Sequence, residues 1–296
     1  MNEDKLKNND SIQKNTLSIF QIAVMTTICV ASLRTLPPMA EEGRASILMY
    51  IIPAILFLIP TSLVSAEFAT TYKGGIYVWI REAFGNRMGF VAIWLQWIQN
   101  VVWYPVQLAF VAAALAFTIN RGDLSNSGLF TAVVIIVVYW FSTFLAFKGG
   151  NLFAKVSSIG GMIGVLIPGA ILIILGLLWI AQGQPISESY LQSSYIPKIT
   201  GISSLVLIVS NVLSYAGMEM NAVHAGQMEN PKKDFTKAIA LAFILILCVF
   251  VFPTLAIAIA IPADKLGMAN GIMVAFQEFF EKLNISWMSN VMSGAM

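Results

Sequence analysis

Seven stretches of this chain are apolar for long enough to cross a bilayer, and that constrains it before any other feature does. They fall at about 17–40, 46–69, 88–118, 127–147, 155–181, 203–226 and 236–261, and an eighth begins at Ile285 and runs to Met296. A span needs roughly 20 apolar residues. In hydrocarbon every backbone N–H and C=O must be paired within the protein, so segments of this kind fold as helices. Composition agrees: 58% of residues are hydrophobic and 11% charged, against about 25% charged in soluble domains. The fold class expected is an all-α polytopic membrane protein.

Several functions are excluded at this level. The net charge of +2 gives no reason to expect a nucleic-acid partner. Cys29 and Cys248 both lie inside apolar runs, and His224 is the only histidine. No metal site, no cofactor and no catalytic residue is therefore expected. An enzyme in the membrane would need an acid pair, a metal motif or a Ser/His arrangement.

Orientation follows from the basic residues. With the N-terminus inside, the cytoplasmic segments hold Lys5, Lys7, Lys14, Lys73, Arg81, Arg87, Lys148, Lys155, Lys232, Lys233 and Lys237. The outer segments hold Arg44, Arg121, Lys198, Lys265 and Lys282. Eleven against five predicts a multi-pass protein of the cell membrane with its N-terminus in the cytoplasm. It also argues against a seven-helix receptor, for which the N-terminus would lie outside. The first run lacks a small-residue cleavage site and reads as a retained helix.

Two runs are interrupted. The first reads as helix from Ser18 to Ser32, then meets Leu33-Arg34-Thr35-Leu36-Pro37-Pro38. Two prolines remove two donors and bend the chain. An arginine at that depth should face protein or water, the competing reading being a side chain that snorkels to Glu41 and Glu42. The sixth run carries Tyr215-Ala-Gly217-Met-Glu219 at membrane depth, then His224, and exits at Asn230-Pro231. These two helices run in opposite senses, five spans apart, as the broken helices of an inverted-repeat transporter do, with the site near the midplane. Arg34 could hold a substrate carboxylate or pair with Glu219. Glu219 could steady the break or carry a proton.

The third run adds Gln96, Gln99, Asn100, Trp103, Tyr104 and Pro105. Amides in hydrocarbon need partners, either on a neighbouring helix or in a cavity whose aromatic rings could meet an ammonium group. The expected substrate-binding residues are thus Arg34, Thr35, Asn100, Trp103, Tyr104, Tyr215, Gly217 and Glu219. His224 is a candidate pH sensor, against the reading of a histidine bonded between helices.

Elsewhere the residues read as framework. Gly74-Gly75 with Ile76, Tyr77, Trp79, Ile80, Arg81 and Arg87 suit a short interfacial helix. Ser157, Ser158, Gly160, Gly161 and Gly164 allow close helix packing. Gly271–Lys282 reads as a short amphipathic helix on the outer surface.

Ser65-Ala-Glu-Phe-Ala, Gly74-Gly-Ile-Tyr-Val-Trp79, Gly217-Met-Glu219 and Asn230-Pro231 resemble the amino acid–polyamine–organocation superfamily of permeases. Tyr215-Ala-Gly-Met-Glu219 with Ala222-Val-His224 is most similar to its glutamate/γ-aminobutyrate antiporter group. The resemblance covers nearly the whole chain. It implies a five-plus-five inverted-repeat fold of twelve helices, alternating access, and exchange of an acidic amino acid for its decarboxylation product, with protons coupled and a role in acid resistance. Two positions depart from the pattern: Gln227 stands where an acid often precedes the Asn-Pro, and Ser32-Leu-Arg-Thr-Leu-Pro replaces a glycine-rich break. On this reading residues 1–15 are a cytoplasmic tail, 16–182 the first repeat, 183–202 an external loop and 203–296 an incomplete second repeat. The chain is expected to be a fragment or an inactive truncated product. A neutral or cationic amino acid or polyamine permease is the alternative.

Overall fold

The structure, a computed structural model, describes residues 17–72, 75–147, 156, 159–197, 202–267 and 270–296. The tail 1–15, Lys73, Gly74, Lys148, Lys155, Ser157, Ser158 and Lys198 lie outside them. The long helices among the described residues follow the apolar runs, because a run that cannot bond to water closes its own i→i−4 ladder.

Among the described residues, five helical stretches are long and apolar enough to span a bilayer: Gly43–Thr71, Asn86–Thr118, Gly128–Phe147, Ile159–Ala181 and Pro231–Ala260. A sixth span is bent by 46°, formed by Ile19–Val30 and Leu33–Ala40. We label α1 Ile19–Val30, α2 Leu36–Ala40, α3 Ser46–Pro53, α4 Ile59–Thr71, α5 Gly75–Phe84, α6 Asn86–Thr118 and α7 Gly128–Phe147. They are followed by α8 Ile167–Ala181, α9 Glu188–Gln192, α10 Ile202–Ser214, α11 Pro231–Ala260, α12 Gly271–Lys282 and α13 Trp287–Ala295.

The centre of the molecule is α11. Its buried residues Phe235, Ala238, Ile239, Ala242, Ile246, Phe250, Thr254 and Ile257 recur at helical spacing and form one face. That face packs on α1, α4 and α8. Close approach to α8 is possible because a Cβ at Gly176 would collide with Ala256. By contrast α7 fully buries only Val134, and most of its other side chains are exposed, as a peripheral span's are.

Prolines shape two further spans. Short π-helical turns at Ala54–Leu58 and Met162–Leu166 each end two residues before a proline, Pro60 and Pro168. A proline ring clashes with the carbonyl four residues back, and the wider turn relieves that clash.

The place of the first break needs correction. Pro37 and Pro38 do not make the first break; they sit in the first turn of α2, where a missing N–H costs nothing. The helix ends earlier, at Val30, and Ala31 and Ser32 are extended. The sixth run breaks where expected: it is helical to Ser214, and Met220–Gln227 continues as a 3-10 helix. The expected helix α12 is present, with Ile272, Met273, Phe276, Phe279 and Phe280 buried and Phe279 meeting Trp179 edge-on at 5.5 Å. It belongs to the packed core. The interfacial helix α5 is present, with the Trp79 ring buried and its Nε1 donating to the Tyr72 carbonyl at 3.1 Å.

Candidate functional site

The two breaks lie against each other. A Cβ at Gly217 would stand 3.5 Å from Val30 Cγ2 and 3.8 Å from the Cys29 carbonyl. Gly217 has φ +114, a conformation that favours glycine. Asn221, in the 3-10 segment, donates to Thr26 Oγ1 at 3.2 Å and to Cys29 Sγ at 3.7 Å. The Leu17 N–H reaches the Gln227 carbonyl at 3.0 Å. The first span and the broken sixth segment are thus held side by side.

Between these breaks and α6 lies a cavity of about 450 Å³, within the usual range of small-molecule sites. Arg34, Thr35, Asn100, Trp103, Tyr104, Gly217 and Glu219 are all on its wall. Each element supplies a different group. The first break supplies Ser32 and Arg34; Thr35 Oγ1 is occupied by the Ser32 carbonyl at 2.8 Å. The second supplies Gly217 and Glu219. From α6 come Gln96, Gln99, Asn100, Trp103 and Gln107, which share a face, the last four falling three, four, seven and eleven residues after Gln96.

The electrostatics of the wall are simple. Arg34 and Glu219 bring opposite charges to one cavity, and they do not pair with each other. The ion pairs among the described residues are Arg81–Glu82, Arg121–Asp123 and Lys265–Glu278. Arg34 instead donates from Nε to Gln107 Oε1 at 2.9 Å, so it does not snorkel to Glu41 and Glu42. Trp103 and Tyr104 contact edge-on at 5.9 Å, and Tyr104 meets Tyr139 at 6.3 Å. The wall offers a cation, an anion, amides and aromatic faces, the complement of a small zwitterion.

Tyr215 is not on that wall. It is fully buried, donating its hydroxyl to the Tyr50 carbonyl at 3.0 Å and standing edge-on to Phe250 at 5.5 Å. Its place behind the break follows from the extra turn that ends α10, which points it towards α3. His224 also stands off the cavity, in the 3-10 segment, with Nδ1 buried and unpartnered. The residues that sequence reasoning missed as wall groups include Cys29, Ser210 and Gln107. Gln107 had a signal: it falls three, four and seven residues after Tyr104, Trp103 and Asn100 on one helical face.

Comparison with known proteins places the chain in context. The profile of the family described as amino acid permease matches residues 15–296. An uncharacterised transporter of Legionella pneumophila is 41% identical over 282 residues, covering 95% of this chain and 60% of that protein. A glutamate/γ-aminobutyrate antiporter of Lactococcus lactis is 28% identical over 95% of this chain and 57% of that protein. A probable agmatine/putrescine antiporter of the same species is 28% identical over 89% and 56%. The chain therefore spans a little over half the length of these relatives.

Proposed function

Because this chain belongs to the amino acid permease family, we propose that it forms the substrate-binding part of an exchanger of acidic amino acids. The chain is a multi-pass membrane protein of a transporter family. The finer reading is glutamate, or a related acid, moving against its decarboxylation product by alternating access between two inverted repeats. One observation carries it: Arg34 and Glu219 meet in a single cavity without pairing. A carboxylate satisfies the first and an ammonium the second. Glutamate and γ-aminobutyrate share a carboxylate and an ammonium separated by the same carbon chain, so one pair of anchors serves both. The likeness to the Lactococcus lactis antiporter supports this assignment.

The reading also includes residence in the cell membrane, an N-terminus in the cytoplasm, coupling to protons and service in acid resistance. His224 is its candidate pH sensor, since a histidine in general changes charge between pH 5 and 8.

A second reading rests on Glu219 with Trp103 and Tyr104. An acid beside aromatic faces suits an ammonium group, and the likeness to the agmatine/putrescine antiporter supports a cationic substrate. Exchange in proteoliposomes separates the two. Vesicles loaded with unlabelled amino acid would be given labelled glutamate, γ-aminobutyrate, arginine or leucine at acidic and neutral pH. The chain would be tested beside a version extended to the length of its relatives. Glutamate exchange supports the first reading, and exchange confined to neutral or cationic substrates removes it while leaving the family intact.

A further inference from the structure

Gln107 is the one protein partner that Arg34 has among the described residues, and its chemistry is informative. A guanidinium has five N–H donors and no acceptor, so the side-chain amide must turn its oxygen towards it. The bond runs from Arg34 Nε to Gln107 Oε1 at 2.9 Å, linking two residues on the wall of one cavity. It occupies the Nε corner of the fork. Arginine grips a carboxylate by two parallel bonds, from Nε and one Nη or from both Nη groups. With Nε taken, the Nη edge is what remains. No carboxylate among the described residues lies within 4.0 Å of it.

We propose that Gln107 is the positioning residue that presents the Nη edge of Arg34 to the cavity, so that a substrate carboxylate is held end-on by the two Nη groups. This deepens the acidic-substrate reading and rests on it. The residue type matters. A neutral acceptor orients the guanidinium and leaves its full charge for the ligand, whereas a glutamate at 107 would neutralise it. Gln107 therefore sets specificity for acids over their amides through the orientation of Arg34. A bond that merely ties the first span to α6 would show no such discrimination.

The test compares glutamate with glutamine, which differ at one terminal group. Binding of each labelled ligand to the purified chain in nanodiscs would be measured for the wild type, Gln107→Met and Gln107→Glu. Methionine keeps the length and apolar tolerance of the site while removing the acceptor. The wild type is expected to favour glutamate by about tenfold or more, the scale of a charge-assisted bond. Gln107→Met should cut that preference by about tenfold, and Gln107→Glu should abolish it. Glutamate binding should fall by more than glutamine binding, and the unfolding temperature should change little. If both variants keep the wild-type preference, the positioning role is wrong and the acidic-substrate reading stands. Equal losses for both ligands with a lower unfolding temperature would also overturn it, in favour of a tie between helices. A wild type that does not prefer glutamate would remove the acidic-substrate reading itself, and the inference with it.

Discussion

A missing hydrogen explains how the second break is secured. Pro53 has no N–H to offer the Met49 carbonyl, which in an unbroken helix would bond to residue 53. That orphan carbonyl accepts instead from Asn211 Nδ2, and the adjacent Tyr50 carbonyl accepts from the Tyr215 hydroxyl at 3.0 Å. Tyr50 in turn stacks on Phe250 at 5.5 Å and bonds to Thr254 Oγ1 at 3.1 Å. Asn211 is 3% exposed and Tyr215 is 0% exposed, so water cannot replace either bond. Asn211→Leu is expected to lower stability by about 1–3 kcal/mol and Tyr215→Phe by about 1 kcal/mol. Unfolding temperatures in detergent check both, and values equal to the wild type would show that the ties are idle. Arg34→Ala makes a different prediction. It should reduce acidic-substrate exchange by about a hundredfold, the scale of a lost bidentate charge pair, and leave folding near wild type. Intact glutamate exchange by that variant would remove Arg34 from the site.

At the scale of elements, the central contact is α8 against α11. Gly176 faces Ala256 so closely that any side chain there must push the helices apart. Gly176→Val should cost about 1–3 kcal/mol through overpacking, visible as a lower unfolding temperature. At Gly160 a Cβ meets nothing within 4 Å, so Gly160→Ala serves as the control and should be neutral or slightly stabilising. The small residues expected to pack in the fifth span are thus not equivalent. Gly161 would meet Ile28, while Gly160 has open space beside it. The external loop is held to the first pair of spans in another way. The Arg44 guanidinium lies 5.2 Å from the ring centroids of both Tyr190 and Tyr195, and the Arg44 backbone N–H donates to Ser193 Oγ at 3.0 Å.

For the whole molecule, pH acts on a pair of acids between the first two spans. Partial burial pushes the Glu41 carboxyl up from its usual 4.5, with the neighbouring Glu42 charge adding to the effect. Burial does the same to Glu42. The folded state therefore keeps protons that the unfolded chain releases just above pH 4.5, so stability falls as pH rises through that window. A double variant, Glu41→Gln with Glu42→Gln, stays neutral and should flatten the pH dependence of the unfolding temperature above pH 4.5. An unchanged profile would show that these carboxyls do not contribute. Extension of the chain to the length of its relatives is the remaining variable at this scale, and the exchange assay measures its effect.

The apolar runs determined the long spans by themselves, because a segment without water has no other way to satisfy its backbone. The position of Gly217 and the charges at Arg34 and Glu219 likewise marked the breaks, since polar groups in hydrocarbon need a reason. Local sequence was less able to say where each break falls. Pro37 and Pro38 looked like the interruption, yet a proline is tolerated in a helix's first turn, and the chain leaves helical geometry at Ala31. Which polar groups face one another was decided by the tertiary structure alone. Tyr215 and Gly217 are two residues apart, but the turn between them sends one behind the break and leaves the other on the cavity. Gln107 reaches Arg34 across 73 positions because α6 crosses the first break at that height. Helical periodicity places a residue on a face; only the packing of helices determines what that face meets.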